Sequence, residues 1–188
     1  MLDSADDHGR HASEFAVPHN YGLGVAKSGW SGATYPLPVT TIGPAAEADV
    51  PALRSIAVAA YQRYVPRIGR QPAPMTADYL TPARHGQAWV ATQDGQAVGF
   101  IILIPQPGHL LVENVAVLPA AQGRGIGAQL LALAEDRARS LCLPEIRLYT
   151  NEAMTENLAY YPRHGYTETH RAQQDGFHRV YFRKRLDS

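Results

Sequence analysis

Cysteine is almost absent from this sequence: Cys142 is the only one in 188 residues. A single cysteine excludes an intramolecular disulfide and fits a reducing compartment, so a cytoplasmic location is expected. Near the end of a helical pattern, Cys142 itself reads as a small core residue. Excess charge is absent too, since 17 basic residues balance 17 acidic ones. That balance argues against a general nucleic-acid or membrane-surface role, where a basic surplus is expected, and leaves room for a local basic patch. Long apolar runs are missing. The longest, Val98 to Ile104, is far too short to span a bilayer. The opening residues hold Asp3, Asp6 and Asp7 and no apolar stretch, so no secretory signal is expected. Metal-ligand spacing is missing: His85, His109, His164, His170 and His178 are scattered. No nucleophile-elbow sequence marks a serine hydrolase, and no internal repeat is visible.

What is present falls into two regions. Residues 1–37 hold scattered His, Gly, Ser and Pro without a sustained period. They read as a poorly ordered extension, with a short docked piece around Phe15 to Tyr21. Residues 38–188 read as one domain. Val39 to Ile42 is a first strand. Ala45 to Tyr64 is a helix, with Asp49 as cap, Pro51 in the first turn, and Leu53, Ile56, Ala57, Ala60 and Tyr64 at helical spacing. Prolines and Gly69 break the following stretch, where Thr76 to Leu80 resumes as a short helix before Pro82. A meander comes next: Ala88 to Thr92, the Asp94-Gly95 turn, Ala97 to Ile104, then Leu110 to Val117. An amphipathic helix follows, placing Ile126, Leu130, Leu131, Ala134, Ala138 and Leu141 on one face. Glu145 to Thr150 is a strand and Thr155 to Tyr161 a short helix. Tyr166 to Gln173 and Phe177 to Arg185 form a last hairpin around Asp175-Gly176. The order predicts an α/β (α+β) layer fold.

The junction between the third meander strand and the amphipathic helix carries the chemistry. It reads V-A-V-L-P-A-A-Q-G-R-G-I-G-A-Q-L-L, from Val115 to Leu131. Glycines there let the chain turn tightly and come close to a ligand. The first amides of a helix lack internal partners, and the dipole favours an anion beside them. The segment resembles the acyl-CoA-binding motif of the GNAT family of N-acetyltransferases, Gln/Arg-x-x-Gly-x-Gly/Ala, carried here by Gln122, Gly125 and Gly127. The element order from about residue 39 onward is also similar to that family. The relaxed dinucleotide fingerprint, Gly123-x-Gly125-x-x-Ala128, fits the same residues, but it lies late in the chain after a meander and too few strand-helix repeats follow.

The resemblance implies a mixed, mostly antiparallel central sheet of about six to seven strands flanked by helices. It also implies acetyl-CoA as acyl donor and direct transfer of the acetyl group to a primary amine of a small molecule or peptide. Phosphates and pantetheine fall to Val115, Ala116 and Val117 and to Gln122, Gly123, Arg124, Gly125, Ile126, Gly127 and Ala128. Asn157 is a further pantetheine contact, although the family more often places its asparagine where Met154 stands. Glu113 is the expected general base. It shares a face with Val117 in a regular strand, and burial in the run L-L-V-E-N-V-A-V would strengthen it as a base near neutral pH. Asn114 would point to the other face and is the weaker candidate. Tyr161, four residues before Gly165-Tyr166, is the expected general acid, with Tyr160 the lesser choice. The loop from Tyr61 to Tyr79 is the expected acceptor wall, with Tyr61, Tyr64, Arg67 and Tyr79 as contacts. Its Arg63, Arg67 and Arg70 predict a carboxylate-bearing acceptor. No nucleic acid or membrane partner is expected, and homodimerisation stays open. A non-catalytic acyl-CoA-binding module on the same fold is the alternative.

Overall fold

Turn chemistry and three shifts of strand register shape the sheet. The computed structural model describes residues 39–187; the expected N-terminal extension and its docked piece lie outside the described residues. Asp94 and Gly95 both adopt positive φ, as the tight turn between β2 (Ala88–Gln93) and β3 (Gln96–Gln106) requires. β3 turns into β4 (His109–Val117), and β1 (Thr40–Pro44) pairs with the free side of β2. After helix α4 (Ile126–Ser140), β5 (Glu145–Asn151) returns parallel to β4. β6 (Thr167–Gln174) and β7 (Phe177–Arg185) close the chain, with β7 inserted beside β5. Among the described residues seven strands stand in the order β1-β2-β3-β4-β5-β7-β6, and only β4 and β5 pair in parallel. A dinucleotide fold would need a parallel sheet, so that reading is set aside.

Helices cover both faces. α4 lays Ile126, Leu130, Leu131, Ala134 and Ala138 on one face, against Ile101, Leu103, Leu110, Val112 and Ile146. Burying each of its three large side chains is worth about 1.5–3 kcal/mol. α1 (Val50–Tyr61) covers the opposite face with Leu53, Ile56 and Ala57, against Val90, Phe100 and Ile102. Among the described residues no helix is long and apolar enough to cross a membrane.

The helical path before the meander is more broken than expected. α1 is preceded by a 3-10 turn, Glu47–Asp49, where the Asp49 carboxylate accepts the Ala46 N–H at 2.8 Å. A second 3-10 turn and the short α2 (Val65–Ile68) follow, and Gly69 ends the path at φ 79°. Pro66 sits in the first turn of α2, where its missing N–H costs nothing, so it starts a helix instead of breaking one. The helix expected at Thr76 to Leu80 is displaced. Ala73–Thr76 is a 3-10 turn, and α3 spans Leu80–Arg84 with Pro82 tolerated near its start. Asp78 accepts the Leu80 N–H at 2.9 Å and sets that start.

Cys142 is not a core residue. It is exposed at φ 54°, just past α4. Its N–H bonds Arg139 O at 3.0 Å and the Leu143 N–H bonds Ala138 O at 2.9 Å, the paired bonds that close a helix C-terminus.

Candidate active site

β4 and β5 pair only from Leu110 to Val112 against Ile146 to Leu148. Beyond that the two parallel strands separate, and a gap opens in the middle of the sheet. The separation begins at Glu113, the extra residue of a β-bulge: Ile102 pairs with Asn114, and the next residue, Leu103, with Val112. The bulge reverses the alternation of side chains. Leu110 and Val112 pack under α4, as do Val115 and Val117, while Asn114 and Ala116 turn toward α1.

Two cavities meet in this gap. One, about 500 Å³, lies beside the glycine junction. The other, about 420 Å³, lies beneath the proline-rich loop after α2. Tyr61, Val115, Asn157 and Tyr161 line both.

The glycine-side cavity is bordered by Val115 to Val117, Gln122, Gly123, Gly125 to Ala128 and Asn157, all expected there. Gly123 and Gly125 stand at φ 77° and 80°, and a Cβ at either would meet nothing within 4 Å, so backbone faces open space. Gln122 Nε2 donates to Val117 O at 3.0 Å and ties the loop to the strand end. Arg124 is exposed and does not border the cavity. The cations that do are Arg63 and Arg163, with His164 beside them. The sequence did carry a signal for Arg163 and His164: with Tyr160 they fall at i, i+3 and i+4 on α5 (Thr155–Arg163) and its end, one face of a helix. Tyr160 lies over the junction, its hydroxyl 2.6 Å from where a Cβ on Gly127 would be.

Glu113 is not buried as the apolar run suggested. It is exposed, because the bulge lifts it out of the pleat, and its Oε1 accepts the Tyr149 hydroxyl at 2.9 Å. Burial, reinforced by that carboxylate, pushes the Tyr149 phenol up to about 12. Tyr149 therefore stays a donor across the neutral range. Asn114 is the buried polar residue of the strand. Its Oδ1 accepts from Tyr61 Oη at 2.8 Å, its Nδ2 donates to Tyr79 Oη at 2.9 Å, and Tyr79 donates to Pro74 O at 2.6 Å. The expected parity did place Asn114 on the face opposite Val117, but it could not supply the distant partners Tyr61 and Tyr79.

Tyr161 is buried at the meeting point, packed on Tyr160, Tyr166 and Phe182. Burial, then the Tyr160 and Tyr64 phenols, holds its hydroxyl well above the usual tyrosine range. Asn157 Nδ2 donates to Thr150 Oγ1 at 3.1 Å, which holds the amide at the junction of the cavities.

The loop after α1 splits between sites. Tyr61 and Tyr79 line the proline-side cavity; Tyr64 borders the glycine side, and Arg67 a third cavity of about 260 Å³. None of the three arginines faces the proline side. Arg63 donates to Tyr64 Oη at 2.6 Å, Arg67 pairs with Glu156 at 2.9 Å, and Arg70 donates to Asp175 O at 2.5 Å while lying 3.5 Å over the Phe177 ring. The charge argument for a carboxylate-bearing acceptor therefore fails on geometry.

The model of the acetyltransferase (GNAT) family matches residues 50–166, more than half of the chain, and the chain belongs to that family. It is 35% identical over 101 residues to the aminoalkylphosphonate N-acetyltransferase of Salmonella typhimurium, covering 50% of this chain and 64% of the relative. It is 30% identical over 99 residues to the mycothiol acetyltransferase of Jonesia denitrificans, covering 52% and 32%. The chain thus spans under two thirds of either relative's length. The PaiA N-acetyltransferase of Thermoplasma acidophilum, solved in complex with coenzyme A, superposes with a TM-score of 0.67 at 18% identity, over 79% of this chain and 99% of that one. That likeness establishes the fold, a seven-stranded mixed α/β sheet flanked by helices.

Proposed function

We propose that the chain is an N-acetyltransferase that moves an acetyl group from acetyl-CoA directly to a primary amine. The observation that carries this reading is the pair of cavities joined at Tyr61, Val115, Asn157 and Tyr161. One has the open glycine backbone that a diphosphate needs, and the other ends at a carboxylate. The names of both relatives and the coenzyme A bound to the Thermoplasma neighbour support it.

Bound acetyl-CoA supplies a thioester carbon for attack. The residues of this chain do the rest. Gly123, Gly125 and the first amides of α4 receive the diphosphate, with Arg63 and Arg163 at the rim. Among the described residues no strand pairs with β4 on its β5 side beyond Val112, which leaves its backbone to hold the pantetheine arm and the thioester oxygen. Glu113 takes the proton from the acceptor ammonium, directly or through one water. Tyr149 fixes one of its oxygens and leaves the other to the proton. As the nitrogen–carbon bond forms and the carbon–sulfur bond breaks, Tyr161 gives its proton to the thiolate. Its raised affinity for that proton keeps the phenol charged with it at neutral pH.

Thiol release with an amine acceptor tests the assignment. Glu113→Gln should lower kcat by roughly 10²–10⁴-fold. Tyr161→Phe should lower kcat with calorimetric affinity for acetyl-CoA unchanged. Unchanged rates in both variants would reject these roles. Tight acetyl-CoA binding with no thiol release to any amine would leave a non-catalytic acyl-CoA-binding module.

A further inference from the structure

The proline-side cavity has a chemistry of its own, and it selects among amines. Its polar atoms are mostly engaged by the protein. The Asn114 amide is held by Tyr61 and Tyr79, and the Tyr79 hydroxyl by Pro74. Thr150 accepts from Asn157, and Asn151 Oδ1 accepts the Ala153 N–H. Most of what remains exposed to the cavity is apolar: Ile68, Pro72, Pro74, Ile102, Ile104 and Phe177 supply much of the wall.

Charge in the cavity is sparse and leans negative. Among the described residues Asp78 and Glu113 are its carboxylates and Arg179 its one cation. Arg179 is already engaged through two of its five N–H groups. Its guanidinium pairs with Asp175 at 3.2 Å, reaches Gln174 at 3.3 Å and lies 4.4 Å over the Tyr149 ring. An acceptor carrying a phosphonate or carboxylate would meet two carboxylates and a single arginine whose charge Asp175 already offsets. A polyamine such as spermidine finds Asp78 for one further ammonium group and would place its third against aliphatic wall, where it loses its water without a counter-charge. A monoamine with an apolar body avoids both costs, its ammonium toward Glu113 and its body along Ile68 and Phe177.

Resting on the N-acetyltransferase reading, the geometry points to hydrophobic monoamines, arylalkylamines and medium-chain alkylamines, as the acceptor class. The lining differs in kind from what an aminoalkylphosphonate requires, although the relative bearing that name is 35% identical over the matched segment.

The experiment uses the full chain and acetyl-CoA. Thiol release is measured with 2-phenylethylamine, an n-alkylamine series from propyl to hexyl, spermidine, 2-aminoethylphosphonate and free amino acids. The expected result is a kcat/KM at least tenfold higher for 2-phenylethylamine than for spermidine or the phosphonate. Along the alkyl series kcat/KM should rise roughly fourfold per methylene, the ratio expected when each CH₂ leaves water. Ile68→Arg, a half-buried position on the wall, should lower the 2-phenylethylamine value at least tenfold and raise that for the phosphonate. Calorimetry of 2-phenylethylamine on coenzyme A-saturated protein, wild type and Ile68→Arg, gives a readout independent of turnover. Preferred turnover of the phosphonate, an amino acid or spermidine, or a flat alkyl series, would overturn the acceptor class and leave acetyl transfer standing. Absence of turnover with every amine would reject acetyl transfer instead. The acceptor class would then be decided by calorimetry: 2-phenylethylamine binding that Ile68→Arg abolishes supports it, and no binding overturns it.

Discussion

Cys142 shows how one residue can carry a cost that its neighbours do not reveal. It occupies the left-handed position that closes α4, at φ 54°, where glycine is usual. An L-residue there costs roughly 1–2 kcal/mol, part of which a glycine would return through its looser unfolded chain. Cys142→Gly should therefore stabilise the protein by about 0.5–1 kcal/mol and raise Tm by about 1–4 °C in a calorimetric scan. Cys142→Ala keeps the strained backbone and should show no such gain. Equal Tm values for the two variants would mean that the backbone angle is not what limits this helix end. The thiol is exposed, so neither change opens a cavity.

At the scale of elements, the contact between α4 and α5 sets the shape of the glycine-side cavity. Gly127 lies in the first turn of α4, and the Tyr160 hydroxyl of α5 occupies the space a Cβ would need, at 2.6 Å. The next nearest atom, Tyr160 Cζ, is 3.5 Å away, an ordinary contact. Gly127→Ala should push Tyr160 aside and cost about 1–3 kcal/mol, the range for overpacking. Tyr160→Phe removes the one atom in conflict, so Gly127→Ala combined with Tyr160→Phe should regain most of the loss. A urea-melt double-mutant cycle measures the coupling. Additive losses would show that Tyr160 does not rest on Gly127. Helix propensity alone predicts the opposite sign for Gly127→Ala, a gain, so the experiment separates packing from local preference.

For the molecule as a whole, the buried phenols set an alkaline limit. Tyr79, Tyr161 and Tyr166 are almost fully buried, and burial holds each well above the usual tyrosine range. The Tyr166 hydroxyl has no hydrogen-bond partner among the described residues. Below about pH 10 these phenols are protonated in both folded and unfolded chains and exert no pH dependence. Above it the unfolded chain releases protons that the folded chain retains, so the unfolded state gains. Stability should fall by at most about 1.4 kcal/mol per pH unit for each such phenol. Urea unfolding followed from pH 8 to 12 should show a flat region and then a decline beginning near pH 10. Tyr166→Phe should make that decline shallower. A decline already complete by pH 9, or one unchanged in Tyr166→Phe, would assign the alkaline limit to other groups.

Local signals in the chain were enough for the elements and for the glycine junction. Alternation marked the strands, Asp94-Gly95 and Asp175-Gly176 marked hairpins, and Gly123, Gly125 and Gly127 after an apolar strand marked the start of α4. These are short-range effects of backbone freedom and side-chain period, and they need no distant partner. The alternation rule failed at Glu113, because a bulge depends on how β4 pairs with β3, which no local window contains. That one extra residue exposed Glu113, buried Asn114 and linked it to Tyr61 and Tyr79 from far along the chain. The arginines of the α2 loop were equally undecidable. Arg67 and Arg70 found partners in Glu156 and Asp175, 89 and 105 residues away, and so left the cavity wall that their spacing suggested. Sequence by itself determined the order of elements along the chain and the glycine junction that opens α4. The tertiary structure decided which side chains face the gap between β4 and β5, because charge and hydrogen bonds are settled by whatever partner the fold brings within about 3 Å.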